Sequence, residues 1–167
     1  RAAAIAQGLL GSFTLGVGQF CTKPGLVFAV RGLDTDAFIA KLAEFVRAAP
    51  NATMLTSGIR DAFNENRTKV TALPNVQSLA TGAAAADRAK TEGQPCVVTT
   101  TAQNFLAHPA LATEAFGPFT VIIVADQLDE FAACAAALEG QLTATLHANA
   151  SDFAGARPLL AVLEQKA

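Results

Sequence analysis

The sequence predicts an α/β fold, a three-layer sandwich of helices on both faces of a mostly parallel sheet. Three observations point there. Short apolar strands alternate with helical periods along the chain, the connections between them are short, and Val121-Ile122-Ile123-Val124 is a run that only a central strand could hide on both faces. At 167 residues the chain can close one hydrophobic core and is too short for two, so one domain is expected.

The first element is an alanine-rich helix over residues 2–14. Ala2 to Thr22 carry no charge, a length that raises a membrane span. Gly8, Gly11, Gly16 and Gly18, with Gln7, Ser12, Thr14 and Gln19 among them, argue instead for a helix buried in protein that runs out into a loop. No basic or aromatic flank marks a lipid interface. Leu26 to Val30 reads as a short apolar strand. Lys23 precedes Pro24 and is therefore biased to extended geometry, which sets a boundary between that strand and the turn before it.

Asp34 or Thr35 can cap a helix running to Ala49, with Phe38, Leu42, Phe45 and Val46 at helical spacing, and Pro50-Asn51 stops it. The next helix begins near Thr56-Ser57 and carries Ile59, Phe63 and Val70 with polar residues between them. Val76 to Leu79 is a brief strand, and Gly82 to Ala86 a low-complexity surface loop. Cys96 to Thr101, rich in Val and Thr, is a strand, and Thr101 or Ala102 opens a helical turn ending near His108-Pro109. Phe119 to Ala125 is the clearest strand, closed by Asp126. Leu128 to Leu138 is a helix with Gly140 as its stop, Leu142 to His147 a strand, and Ser151 or Asp152 the cap of a last helix to about Lys166.

Composition narrows the function. Net charge is −2 and the isoelectric point about 5.6, so nothing draws phosphate backbones or anionic lipid at long range, and neither nucleic acid nor a membrane is an expected partner. Cys21, Cys96 and Cys134 are odd in number and widely spaced, which fits a reducing cytoplasm better than a disulfide framework. With only His108 and His147 beside them, no zinc-ligand spacing appears and no metal is expected. With 51% hydrophobic residues, 16% charged residues and a mean hydropathy of +0.35, the surface is expected to include faces that lie against something else. Arg1 opens directly into helix-like sequence with no leader, which reads as a chain excised from a longer polypeptide.

The chemistry centres on Gly18-Gln19-Phe20-Cys21-Thr22-Lys23-Pro24-Gly25. A thiol in a glycine-flanked turn between a helix and a strand is held rigidly yet open to a substrate, as covalent catalysis by sulfur requires. From the residues alone, Cys21 could equally be a small buried hydrophobe. Glu114 could be a solvated charge and Phe116 a core residue under the Gly117-Pro118 turn. His108 precedes a proline in a turn and His147 closes a strand, places where histidine is usually structural or solvated, so a cysteine–histidine dyad is set aside. Cys96, opening a strand, and Cys134, inside a helix, read as apolar fillers.

Gly18-Gln19-Phe20-Cys21-Thr22 followed by Pro24 resembles the nucleophile loop of the aldehyde dehydrogenase superfamily, and Glu114-Ala115-Phe116-Gly117-Pro118 is similar to the superfamily's later E-x-F-G-P element. Each motif is short, but together, in order and each ahead of a strand, they are specific. The runs 13–22, 54–59 and 139–147 resemble the branch that oxidises α-ketoglutaric semialdehyde, also called 2,5-dioxovalerate, to 2-oxoglutarate; bacterial NADP-dependent long-chain aldehyde dehydrogenases share much of this text. The likeness spans nearly the whole chain, as the catalytic-domain part of such a subunit. Lys23 departs from it, standing where asparagine is expected and placing an extra cation beside the nucleophile.

The resemblance implies a role for each matching residue. Cys21 would attack the aldehyde as thiolate, with its own backbone N–H partly holding the oxyanion, and pass through a thiohemiacetal and a thioester. Glu114 would grip the nicotinamide ribose hydroxyls of NADP (or NAD), and Phe116 would pack beside the nicotinamide. Phe20 and Thr22 would line the aldehyde tunnel. The dinucleotide-binding domain, the glutamate general base, the oxyanion asparagine and an oligomerising C-terminal arm of a homo-oligomeric parent are not in these residues, so the chain alone is expected to be inactive. The reading from a different class is a non-catalytic α/β interaction module with an accessible thiol.

Overall fold

The computed structural model describes all residues from Arg1 to Ala167. In chain order its elements are α1 (Ala2–Thr14), β1 (Leu26–Val30), α2 (Leu33–Ala48), β2 (Ala52–Thr53), α3 (Ser57–Thr71), β3 (Gln77–Thr81) and β4 (Glu92–Gly93). There follow β5 (Cys96–Thr101), α4 (Ala102–Ala107), β6 (Phe119–Ala125), α5 (Asp129–Ala137) and α6 (Phe153–Lys166). Four strands form one sheet in the order β1-β6-β5-β3, and β2 and β4 pair separately as an antiparallel ribbon. β6 is central and parallel to both neighbours; only the edge strand β3 runs antiparallel, against β5.

Strand periodicity decides which residue meets which layer. On β6, Val121, Ile123 and Ala125 enter one core with Phe63 and Val70 of α3, Phe105 of α4 and Cys134 of α5. Ile122 points the other way, into a second core with Ala6 and Phe13 of α1 and Phe38, Leu42 and Val46 of α2. Neighbouring β5 splits in the same way, Cys96 and Val98 to the first core and Val97 to the second. Alternate residues therefore face opposite helical layers, which is why the run Val121 to Val124 of β6 is apolar without a break. The result is the three-layer α/β/α arrangement. No helix is long and apolar enough to cross a membrane.

Local chemistry accounts for several boundaries. Thr56 caps α3 by accepting from the Ile59 N–H at 3.2 Å, and Thr101 caps α4 by accepting from the Asn104 N–H at 3.2 Å. Five expectations need correction. Only Ala6 and Phe13 of α1 are buried, because one face of this helix packs on α2 while the glycine-bearing face is open. α2 starts at Leu33 with Gly32 before it and no side-chain cap; Thr35 instead donates back to the Val30 carbonyl at 2.5 Å.

Gly140 does not stop α5, which ends at Ala137 with Leu138 in extended geometry. The last helix is introduced by Asn149 rather than Ser151 or Asp152 alone: Asn149 and Asp152 form a reciprocal capping box around a short 3-10 turn. Finally, Leu142 to His147 is not a strand. Its residues alternate as a strand should, but no segment of this chain offers them a ladder, and Leu142 stands 69% exposed.

Candidate active site

Topology brings the two sequence motifs together. The Cys21 turn leads into β1 and the Glu114–Pro118 segment leads directly into β6; β1 and β6 are adjacent and parallel, with Leu26 opposite Val121. Two segments that precede neighbouring parallel strands must lie at the same, amino-terminal edge of the sheet. β5 begins at that edge too, with Cys96 opposite Phe119. Open α/β sheets usually place their sites at the opposite, carboxyl-terminal edge, so the location follows from these motifs and not from the general rule.

The turn itself is built from left-handed backbone. Gly16, Val17 and Gly18 have φ of 55°, 59° and 67° in succession, reversing the chain at the end of α1. For Val17 this geometry costs about 1–2 kcal/mol. Its side chain packs onto the β2–β4 ribbon, where a methyl on Gly93 would come within 3.2 Å of Val17 Cγ1. Gly18 is buried against Gly117: a methyl there would overlap the Gly117 carbonyl and sit 2.7 Å from the Pro118 nitrogen. A methyl on Gly117 would in turn press into the Phe63 ring, within 2.7 Å of Cγ. Gly18, Gly117 and Phe63 thus stack, and each glycine is required by the closeness of the next layer.

Side chains pin the rest. Gln19 donates to the Gly16 carbonyl and accepts from the Leu55 N–H, both at 2.9 Å, tying the loop to the 54–59 stretch. The Lys23 N–H donates to the Phe20 carbonyl at 3.1 Å, closing a turn with Cys21 and Thr22 at its tip. Cys21 is exposed there, whereas Cys96 and Cys134 are buried. Burial pushes the Cys134 thiol up to about 11, with Glu130 adding to the effect, and raises Cys96 against the opposing charge of Arg67.

Lys23 is the residue the sequence placed least well. Its Nζ donates to the carbonyls of Ala115 at 3.2 Å and Phe119 at 2.9 Å, so the amine is engaged with the second motif. Loss of water lowers its pKa to about 8, opposed by the nearby negative charge of Glu114.

Glu114 is exposed and its carboxylate makes no hydrogen bond or ion pair, while its backbone carbonyl accepts from Asn66 Nδ2 at 2.9 Å. Phe116 is half-buried. Thr22 is exposed, and Phe20, 48% exposed, lays its ring over Gly16. Leu15, Phe20 and Leu55 leave apolar surface bare around the turn. A pocket of about 410 Å³ lies behind it, lined by residues such as Leu10, Val17, Phe45 and Pro118, but Cys21 is not on its wall.

The other candidates stay apart from this chemistry. His108 pairs through Nδ1 with the Asn104 carbonyl at 3.1 Å, and His147 lies in the unpaired 142–147 segment. Arg31 binds Asp126, Arg47 the Leu79 carbonyl, and Arg60 and Arg88 Asp61. Arg67 lies over the Phe63 ring, 5.4 Å from its centroid, which makes it the arginine packed beneath the Gly117 layer. Gln19 has no role in the sequence reading beyond its place in the motif, and no sequence signal marks Phe63 as the floor of the candidate site.

No family profile matches the chain. It is 47% identical over 167 residues to alpha-ketoglutaric semialdehyde dehydrogenase 2 of Azospirillum brasilense, a match covering all of this chain and 31% of that protein. It is 33% identical to alpha-ketoglutaric semialdehyde dehydrogenase of Acinetobacter baylyi, again over the whole chain and 32% of the relative. The chain therefore spans about a third of the length of the curated relatives it matches. Among solved structures, the NAD-dependent benzaldehyde dehydrogenase of Corynebacterium glutamicum superposes with a TM-score of 0.73 at 20% identity, over 95% of this chain and 35% of that one. Succinic semialdehyde dehydrogenase of Streptococcus pyogenes, solved with NADP+, gives 0.62 at 19% identity over 78% of this chain and 30% of that one. Along its whole length the chain is similar in sequence to about a third of these alpha-ketoglutaric semialdehyde dehydrogenases, and its fold is that of the matching part of the solved aldehyde dehydrogenases.

Proposed function

We propose that these residues are the nucleophile-bearing catalytic domain of a longer aldehyde dehydrogenase, which oxidises α-ketoglutaric semialdehyde to 2-oxoglutarate with NADP. The observation that carries the reading is the stack of Gly18 on Gly117, which fixes an exposed thiol turn against the segment bearing Glu114 and Phe116. The 47% identical relative named for this substrate supports the choice of aldehyde.

In this mechanism the Cys21 thiolate adds to the aldehyde carbon: a C–S bond forms, the π pair moves to oxygen, and the Cys21 backbone N–H, at the tip of the turn, donates to that oxygen. A nicotinamide cofactor, when bound, supplies the hydride acceptor. Glu114 fits such a group because its carboxylate is exposed, unpaired and acceptor-only, suited to a vicinal diol. Half-buried Phe116 offers an aromatic flank beside it. The acyl thioester on Cys21 is finally cleaved by water, which takes the acyl group and returns the thiol. Phe20 and Thr22, on either side of the thiol in sequence, border the aldehyde in this reading. The parent acts in the cytoplasm and as a homo-oligomer.

The test has two arms. The purified chain should show no aldehyde-dependent reduction of NADP+, since the parts that hold the dinucleotide and activate water belong elsewhere; sustained turnover would contradict the division of labour. A chimaera in which this chain replaces the matching third of the Azospirillum brasilense relative should oxidise α-ketoglutaric semialdehyde with a higher kcat/KM than a long aliphatic aldehyde. The reverse preference would move the assignment to fatty aldehydes.

A further inference from the structure

We propose that Lys23 is a positioning residue that clamps the Cys21 turn to the backbone on both sides of Phe116, so that the nucleophile and the Glu114–Pro118 segment keep one fixed relation. The inference rests on the functional reading above for the meaning of that relation, though not for the existence of the clamp. The side chain leaves the nucleophile turn and ends between two carbonyls, that of Ala115 in the other motif at 3.2 Å and that of Phe119, the first residue of β6, at 2.9 Å. Those carbonyls bracket Phe116, Gly117 and Pro118, and Gly18 stacks on the last two of these.

Taking an ammonium group out of water is costly, and an amine that only needed solvation would turn outward. Here the loss of water is set against two charge-assisted hydrogen bonds and the charge of Glu114. The backbone contact at Gly18 prevents approach beyond van der Waals distance, but it does not resist separation or sliding. A donor that bonds one carbonyl in the second motif and another at the start of β6 resists both. Lys23 thus supplies what the glycine stack lacks.

The chain itself tests the clamp by amide hydrogen exchange. In Lys23→Met, which keeps the aliphatic arm and removes the donors, the hydrogen-bonded amides of the turn, those of Gln19 and of residue 23, should exchange at least tenfold faster while those of Val121 to Ile123 in β6 stay within twofold. Unchanged exchange in the turn, or an equal acceleration in β6, would overturn the clamp. Lys23→Leu, which also keeps an apolar arm and removes the donors, carries the same expectations should the Met variant fail to fold.

The consequence for catalysis is read in the chimaera. Lys23→Met should lower kcat at least tenfold at saturating aldehyde and cofactor with the aldehyde KM within threefold, and Lys23→Arg, which restores long-armed donors, should recover most of the loss. A merely structural residue would change the amount of active enzyme and not be rescued in kcat per active site. If Cys21→Ala abolishes turnover while Lys23→Met leaves kcat unchanged, the positioning role fails and the functional reading stands. If Cys21→Ala leaves turnover intact, the functional reading itself fails.

Discussion

Gly18 and Gly117 meet backbone to backbone, closely enough that a single methyl on Gly18 would overlap the Gly117 carbonyl. The contact joins two motifs far apart in sequence, and its tightness makes a sharp expectation. Gly18→Ala adds both a clash with a rigid peptide and a side chain in left-handed geometry at φ of 67°. It should cost at least about 2 kcal/mol, read as a lowered urea midpoint. Gly8→Ala is the control: α1 has nothing within 4 Å of that position, so a stabilisation of up to about 1 kcal/mol is expected.

Thr56→Ala removes the acceptor of the Ile59 N–H at the start of α3, the helix that carries Phe63 under Gly117. A loss of about 1 kcal/mol is expected in equilibrium unfolding. Phe63→Ala should cost more, about 3–5 kcal/mol, because the ring is fully buried and forms the floor of the stack.

Stability should depend on alkaline pH through two opposed groups. Lys23 is held near pKa 8 against an ordinary value of 10.5, so between those limits the unfolded chain binds the extra proton and stability rises with pH. Cys134 is pushed up to about 11 from 9, so between those limits the folded chain keeps the proton and stability falls with pH. Urea midpoints of Lys23→Met should therefore lose the rise from pH 8 upward relative to the parent chain. Those of Cys134→Ala should lose the fall above pH 9. Matching pH profiles for parent and variant would contradict the corresponding assignment.

Most of the fold was legible because its elements declare themselves locally. α1, β1, β5 and β6 run as their periodicity predicts, and α3 begins at the threonine that caps it. Leu142 to His147 shows where local reading ends: alternation of Leu142, Ala144 and Leu146 gives a residue pattern for a strand, but a strand also needs a partner, and a partner is a property of other residues. The site divides similarly. Cys21, Glu114 and Phe116 could be proposed from their motifs, whereas the Gly18–Gly117 stack, the packing of Phe63 under it and the direction of Lys23 arise from β1 lying beside β6, which no spacing along the chain encodes.

Exposure and the weakened acidity of the buried pair both order the three thiols. Cys21 stands at a turn tip, while Cys96 and Cys134 are buried with raised pKa values, so iodoacetamide should modify Cys21 first under native conditions, followed by peptide mapping. Equal or inverted labelling would favour a non-catalytic module.

Replacing Cys21 by alanine in the chimaera with the Azospirillum brasilense relative, and measuring aldehyde-dependent formation of NADPH, tests the nucleophile most directly. Loss of kcat by about a thousandfold or more, with the protein still folded, is the predicted result. A variant that keeps kcat within tenfold of the parent chimaera would show that this sulfur is not the atom that attacks the aldehyde.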